Sequence, residues 1–447
     1  MNRTSVAFSL LLVTALSTCA FSAIVTSTFQ HGVAGYTDVA ERRIGPGYAE
    51  VSGSAINTDA NSYFIDGGSA ALNDTGFSNG LIRFDNIIGG AGIPAGAKIL
   101  NATVDLVTGS TSAAQSGGAF NVYRLTTAFD GTSTNAGTFG GNGIAGDVAE
   151  ILGSFDGVAA VGNPSSARID RAMQYWADGG TNLGLGIRSD QSIDAWSPHT
   201  TGSATIAKRP KLTVTYTTDP LVQITSYQQG VNSYSGTTDL RFDSTNGSAT
   251  DGSTTDQIFL DGYDPTLATP SPDQSYLVKF GGLNLNFPAT YRAELVIKTG
   301  FSSTNADTPG PFTVHQVLKD WSLATTYASL DSNADPTVNG PVELQAGGMI
   351  APAAATVTGA NDTEVMYIDV TSIVENWRAG QPNYGFYIGT ANPTEGGTNN
   401  GWQIFLTGAG DTSFRPELRI IGVPEPAAIV LLMMGAILPI TRRSRRA

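Results

Sequence analysis

The chain has 447 residues, 53 of them glycine, with 14% charged side chains and a formal net charge of −14. That length suggests two or three domains with sizeable cores, and the recurring Gly, Ser, Thr, Asn and Asp clusters exclude a helical bundle in favour of many short strands joined by turns. Five of the 24 basic residues (Arg3, Arg442, Arg443, Arg445 and Arg446) lie in the two ends, which leaves 19 against 38 acidic residues and makes nucleic acid and other polyanions poor partners.

In chain order, residues 1–23 read as a secretory signal peptide, with Arg3, an apolar core from Val6 to Leu16 and a small-x-small cleavage site at Ala20-Phe21-Ser22. Cys19, the only cysteine, lies inside it, so the exported chain would hold neither a thiol nor a disulfide. Leu16-Ser17-Thr18-Cys19 also approaches a lipobox, although Thr18 is large for the residue before a lipidated cysteine.

Beyond the signal, one unit is written twice. "FQHGVAGY" from Phe29 returns as "YQQGVNSY" from Tyr227. "YFIDG" ending at Gly67 pairs with "IFLDG" ending at Gly262, and "LIRF" ending at Phe84 pairs with "YLVKF" ending at Phe280. "FNVYRL" from Phe120 pairs with "FTVHQV" from Phe312, Phe129 with Trp321, and "IDRAMQYW" ending at Trp176 with "IDVTSIVENW" ending at Trp377. Asn182 and Gly184 match Asn383 and Gly385, and Trp196 and Trp402 lead to "RPKL" at Arg209 and "RPEL" at Arg415. Repeats this long are tandem domains, since solenoid units run about 20 to 50 residues.

Within the repeats, Ala102, Val104 and Leu106 alternate with polar residues, as do Ala293, Leu295 and Ile297 in the second copy. Leu183, Leu185 and Ile187, their partners Tyr384, Phe386 and Ile388, and Leu212, Val214 and Tyr216 do the same, and period two predicts half-buried strands. One stretch changes period: Ile169, Ala172, Met173 and Trp176, like Val370, Ile373, Val374 and Trp377, fall on one face of a short helix. The expected fold class is all-β: two tandem, jelly-roll-like antiparallel β-sandwich domains over residues 24–218 and 221–422, each with one short helix that caps an end and inserts its tryptophan into the core. Thr217 to Pro220 is the linker, too short for free tumbling.

Candidate chemistry is sparse. His31, His199 and His315 are not repeated between the copies, and no pair stands at metal-ligand spacing. "GFSNG", Gly76 to Gly80, matches a nucleophile elbow by letter but leads into a strand, where the real motif leads into a helix. Asp66 and Asp261 hold matching positions before glycine and suit turns, while Asp170 and Asp369 stand where the helices begin and suit N-caps. Calcium is the metal such oxygens would hold, with Asp66 and Asp261 as its ligands; no other cofactor is expected. Tyr36 and Tyr234, in glycine-rich segments, are the candidates for stacking on sugars.

The chain closes with residues 423–447, in which Pro424-Glu425-Pro426 precedes an apolar run from Ala427 to Ile440 and an arginine cluster. The run is about fourteen residues, short of the about 20 that a membrane span needs. These three parts in order resemble the PEP-CTERM sorting signal of Gram-negative bacteria that make exopolysaccharide. The resemblance implies a transient inner-membrane helix, cut near the triplet by an exosortase-type processing enzyme, and a final place at the cell surface or in the extracellular matrix.

The ordered motifs of residues 25 to 422 resemble the disaggregatase-related (DNRLRE) repeat domain, which overlaps carbohydrate-binding module family 96. The resemblance is carried by "LIRFD" and "YLVKF", the helix segment with its Asn-x-Gly follow-on, and the closing Arg-Pro-x-Leu strand. Copy one departs from it at "IDRAMQYW", two residues shorter than its partner, and at "YTDVAERRIG". It implies a jelly-roll sandwich and binding of extracellular polysaccharide, alginate-like for some members, although an anionic polymer would need a basic groove on this acidic chain. The expected function is non-catalytic: a secreted or cell-surface protein of the polysaccharide matrix that binds carbohydrate. The alternatives are a polysaccharide-active lyase or hydrolase, which would release chain ends, and a purely structural or adhesive surface protein, which would bind no glycan.

Overall fold

Residues that alternate β-branched or aromatic side chains with polar ones, between glycine- and asparagine-rich turns, pair into antiparallel strands throughout the chain. The computed structural model describes residues 23–46, 64–67, 77–109, 119–157, 159–189, 195–243, 249–262, 274–287, 289–300, 310–330, 341–358, 363–391 and 401–423. Residues 1–22 of the expected signal and the tail with Pro424, Glu425 and Pro426 lie outside these. Among the described residues, no helix is long and apolar enough to cross a membrane.

The first half runs β1 (Val25–Gln30), β2 (Val39–Ile44), β3 (Ile65–Asp66), β4 (Asn79–Phe84), β5 (Lys98–Val107), β6 (Ala119–Leu125), α1 (Asn135–Thr138), β7 (Val148–Asp156), β8 (Pro164–Arg168), α2 (Asp170–Ala177), β9 (Leu185–Ser189), β10 (Ala195–Trp196) and β11 (Lys211–Thr217). The second runs β12 (Gln223–Gln228), β13 (Thr237–Asp243), β14 (Ala249–Asp251), β15 (Gln257–Leu260), β16 (Gln274–Phe280), β17 (Ala289–Lys298), β18 (Phe312–Gln316), α3 (Tyr327–Leu330), α4 (Pro341–Ala346), β19 (Ala355–Val357), β20 (Val365–Asp369), α5 (Thr371–Arg378), β21 (Phe386–Thr390), β22 (Trp402–Phe405) and β23 (Glu417–Val423).

Sheet order repeats strand for strand. β1-β11-β5-β8 and β2-β4-β9-β6-β7 face each other in the first half; β12-β23-β17-β20 and β14-β13-β16-β21-β18-β19 do so in the second, with β14 as an added edge. Short ladders β10-β3 and β15-β22 correspond in the same way. Each pair of sheets closes over its own sandwich-like core, one around Trp176 and Trp196, the other around Trp377 and Trp402. All four indoles are buried: Trp176 and Trp377 as the apolar faces of α2 and α5 require, Trp196 and Trp402 on the short strands β10 and β22. Trp196 Nε1 donates to Thr108 Oγ1 at 3.1 Å and Trp402 Nε1 to Thr299 Oγ1 at 3.0 Å, so the inner polar handle is duplicated too.

The repeated phrases now have a physical reason. Asn182 Nδ2 donates to the Phe84 carbonyl at 2.8 Å and Asn383 Nδ2 to that of Phe280 at 2.7 Å, while each amide oxygen accepts from the glycine two residues on. Arg209 Nη1 donates to the His31 carbonyl and Arg415 Nη1 to that of Gln229, both at 3.1 Å, tying the opening turn to the closing strand. Gly32 and Gly230 sit under these guanidiniums at φ +89° and +85°, where a Cβ would come within 2.7 and 2.8 Å of Nη1. We expect Gly230→Ala to destabilise the protein by about 1–3 kcal/mol, through both strain and displacement of Arg415; urea unfolding checks it, and an unchanged midpoint would refute the tie.

Three expectations are corrected. Each half carries more than one helix: α1 in the first, where Thr134 Oγ1 caps the Gly137 N–H, and α3 and α4 in the second. Such one-turn helices are too short to show a period in sequence. Second, β17, expected to be half-buried, is buried on both faces. Glu294 and Val296 on its outward face are buried, as are Glu417, Arg419 and Ile421 beside them on β23, because the first half packs there. Third, Asp170 and Asp369 are not equivalent. The helices superpose in register with Asp170 opposite Thr371, and the N-cap residues are Ile169 and Val370, neither with a side-chain cap bond. Asp170 Oδ1 accepts from the Ala102 N–H, as Thr371 Oγ1 accepts from the Ala293 N–H at 2.9 Å, so both tie the helix start to the neighbouring strand. Asp369 Oδ1 accepts from the Thr371 N–H at 2.9 Å, so it serves the helix start from one residue further out.

Candidate functional site

The outward face of the β12-β23-β17-β20 sheet carries charge at its centre, and an isolated sheet would present it to water. Here it docks against α2, β5, β7 and β8. Arg168, at the end of β8, reaches Asp170 and Glu294, with Nη1 2.8 Å from Glu294 Oε1. Arg419 donates to Asp170 and lies 3.8 Å from Glu294, and Arg292 stands 3.5 and 3.3 Å from the same two carboxylates. Burial pushes the Asp170 carboxyl up, but Arg419 and Arg168 outweigh it and hold the group below the usual carboxylate range. Around this cluster, Tyr367 donates to the Leu152 carbonyl and the Val365 N–H to Ser154 Oγ at 3.1 Å, while Leu100, Val222 and Ile421 pack beneath the linker.

The docking leaves a cleft of about 640 Å³ on one side of the junction. Its first wall comes from β6, β7 and α2 (Arg124, Glu150, Arg171, Gln174, Tyr175), its second from β12, the turn after it, the 3-10 segment Thr412–Phe414 and β23 (Thr225, Ser226, Asn232, Thr412, Glu417). The volume falls in the range of ligand clefts, about 300–1,000 Å³. Tyr175 is 43% exposed, with the Arg124 guanidinium 4.0 Å from its ring centroid and Gly180 against a ring face, where a Cβ would come within 2.3 Å of the ring. Arg124 Nε is 3.0 Å from Glu150 Oε1, and Arg171 Nη1 is 3.0 Å from Glu417 Oε2. Burial would lower the Arg171 pKa, but Glu417, Tyr367 and Glu150 raise it, so the guanidinium stays charged.

Comparison of the two copies shows where the cleft originates. Core positions match, but outward ones do not: Thr103 and Thr213 in the first sheet become Glu294 and Arg419 in the second, Lys211 becomes Glu417, and the turn residues Ala34 and Gly35 become Asn232 and Ser233. Asn232 and Ser233 hold φ +49° and +62°, and the second is a left-handed conformation that the first copy gives to glycine. On the opposite wall, Asp170, Arg171 and Tyr175 stand where α5 has Thr371, Ser372 and Asn376. None of these residues was singled out from sequence as a ligand contact; the signal that could have found them is divergence confined to outward positions of two otherwise matching copies.

The residues expected to bind ligand lie elsewhere. Tyr36 and Tyr234 are half-buried and 5.4 and 5.3 Å, edge-on, from Phe29 and Tyr227. Their hydroxyls donate to backbone carbonyls, Tyr36 to Asp38 at 2.8 Å and Asp85 at 3.0 Å, Tyr234 to Gly281 at 3.0 Å. Burial pushes the Tyr234 phenol up to about 12. Asp66 and Asp261 each accept from the next residue's N–H, at 3.0 Å from Gly67 and 2.9 Å from Gly262, the turn role their position suits. Among the described residues, no group of three or more His, Cys, Asp or Glu side chains is placed to hold a metal ion. Ser78 of the elbow-like phrase donates to the Phe64 carbonyl at 2.6 Å and leads directly into β4.

A duplicated pair of buried acids escaped the sequence reading. Glu41 on β2 and Asp239 on β13 stand at the same register position opposite β4 and β16. Glu41 Oε2 accepts from the Thr201 N–H at 3.0 Å and its hydroxyl at 2.6 Å; Asp239 accepts from the Thr407 N–H at 3.0 Å, its hydroxyl, and Tyr276 Oη at 3.0 Å. Gly80 occupies the Tyr276 position in the first copy, so Glu41 Oε1 lacks a hydrogen-bond donor among the described residues. Burial pushes Glu41 up to about 7 against the Thr201 bonds, and it raises Asp239 as well. No protein-family model matches the chain, and no curated protein is significantly similar to it.

Proposed function

We propose that the protein is a non-catalytic, exported component of an extracellular polysaccharide matrix, and that it binds glycan in the cleft between its two modules. The observation that carries this reading is the cleft itself: a polar, ligand-sized groove with an exposed aromatic ring, built from residues in which the two copies differ. Amides, hydroxyls and paired charges present fixed donors and acceptors suited to sugar hydroxyls, and the Tyr175 ring edge adds apolar contact. Asp170 and Glu417 are committed to arginines, and Asp170 is held ionised, which suits orientation of hydroxyls better than proton donation. Export would follow from the signal peptide, and the Pro424-Glu425-Pro426 tail would be removed by an exosortase-type enzyme after transient membrane insertion. The jelly-roll connection and the DNRLRE relationship belong to this same reading.

Incubating the full chain with a panel of exopolysaccharides tests it. Binding by calorimetry without release of reducing or unsaturated ends is expected. Tyr175→Ala should weaken binding about tenfold, the order of one aromatic contact of about 1.4 kcal/mol. Released chain ends would replace this reading with that of a polysaccharide-active enzyme.

A further inference from the structure

We infer that the cleft takes an uncharged, hydroxyl-bearing polysaccharide segment and discriminates against uronates and sulfated chains; this rests on the reading of the cleft as the glycan site. Its lining carries no excess of positive charge. Three arginines, Arg124, Arg171 and Arg419, line it with four carboxylates, Glu150, Asp170, Asp411 and Glu417. Each arginine is engaged: Arg124 by Glu150, Arg171 by Glu417, Arg419 by Asp170. An anionic sugar therefore finds no uncommitted cation among the described residues that line the cleft, and would enter the field of a chain whose net charge is −14. Desolvating its charge there without a partner is unfavourable.

Neutral hydroxyls meet the opposite situation. The side chains of Thr225, Asn232 and Thr412 form no hydrogen bond among the described residues, and all three line the groove. Asn232 and Thr412 stand where the first copy has Ala34 and Ile206, neither able to bond through its side chain, in a turn and a 3-10 segment of the same shape. Apolar positions of one copy have thus become hydrogen-bonding positions in the other, at the one place where they face a second module. The paired carboxylates and guanidiniums add fixed, two-pronged partners for vicinal hydroxyls without adding net charge.

Affinity electrophoresis of the full chain tests this, in gels containing dextran, galactomannan or xyloglucan, against gels containing alginate, polygalacturonate or a sulfated galactan. Retardation by at least one neutral polymer is expected, unchanged when ionic strength is raised. In the Asn232→Ala, Thr412→Val double variant it should fall at least tenfold while the thermal transition stays in place. Retardation only by the uronate or sulfated gels, weakening with salt, would overturn the inference and leave the glycan-binding reading standing. Neutral binding indifferent to the double variant would remove the cleft as its site. An absence of retardation in every gel would remove the glycan-binding reading itself, and this inference with it.

Discussion

Glu41→Gln is expected to stabilise the protein above pH 7 by about 2–3 kcal/mol, and to leave it nearly unchanged below about pH 4.5. The native carboxyl titrates near 7, the unfolded one near 4.5. A raised native pKa means that the native state holds the proton more tightly. Its contribution to stability is fully present below the unfolded value and is lost as pH rises through the native one. Above that point the parent must bury a carboxylate whose Oε1 has no donor among the described residues, whereas glutamine keeps the acceptor for Thr201 and carries no charge. The new amide N–H group, itself without a partner, trims the gain. Urea midpoints at pH 5 and pH 8 give the answer, and an equal effect of the substitution at both would show that Glu41 does not titrate as a buried acid.

Asp170→Ala is expected to cost about 3–5 kcal/mol, because it removes the carboxylate on which Arg168, Arg292 and Arg419 converge and leaves three guanidiniums to Glu294. It also strips the acceptor from the Ala102 N–H. Asp170→Thr separates the two losses, since Thr371 shows that threonine at this position can serve the neighbouring strand. The threonine variant should recover about 1 kcal/mol and no more. In both variants we expect unfolding to split into two transitions as the halves separate, which differential scanning calorimetry would resolve. Full recovery by threonine would mean that the ion cluster contributes nothing to docking.

The strands, the helical faces and the buried tryptophans were legible because each is written twice and each follows a local period. The docking was not. A polar residue alternating with an apolar one reads the same whether its outward face meets water or another domain, so Glu294 and Arg419 gave no sign of burial. Asp170 was misassigned because "IDRAMQYW" is two residues shorter than its partner, and aligning the aspartates breaks the helix register that aligning the tryptophans preserves. Glu41 and Asp239 stand five residues after Tyr36 and Tyr234, in step with the repeated phrase, but the residues around them differ and a glutamate stands opposite an aspartate, so the pair does not read as a repeat. The cleft draws residues from β6, β7, α2, β12, the turn after it, the 3-10 segment at Thr412 and β23, and no local window contains it.

The place of β23 within its sheet has a mechanical consequence. It is the last described strand, yet it lies between β12 and β17 and is not at an edge. Its Glu417 end forms part of the cleft wall, and its Val423 end leads on towards the tail. Tension applied beyond Val423 and resisted by the rest of the molecule runs along the strand, perpendicular to the hydrogen bonds on both of its sides. Those bonds then share the force in shear and do not yield one by one, as they would if a flanking strand were peeled away.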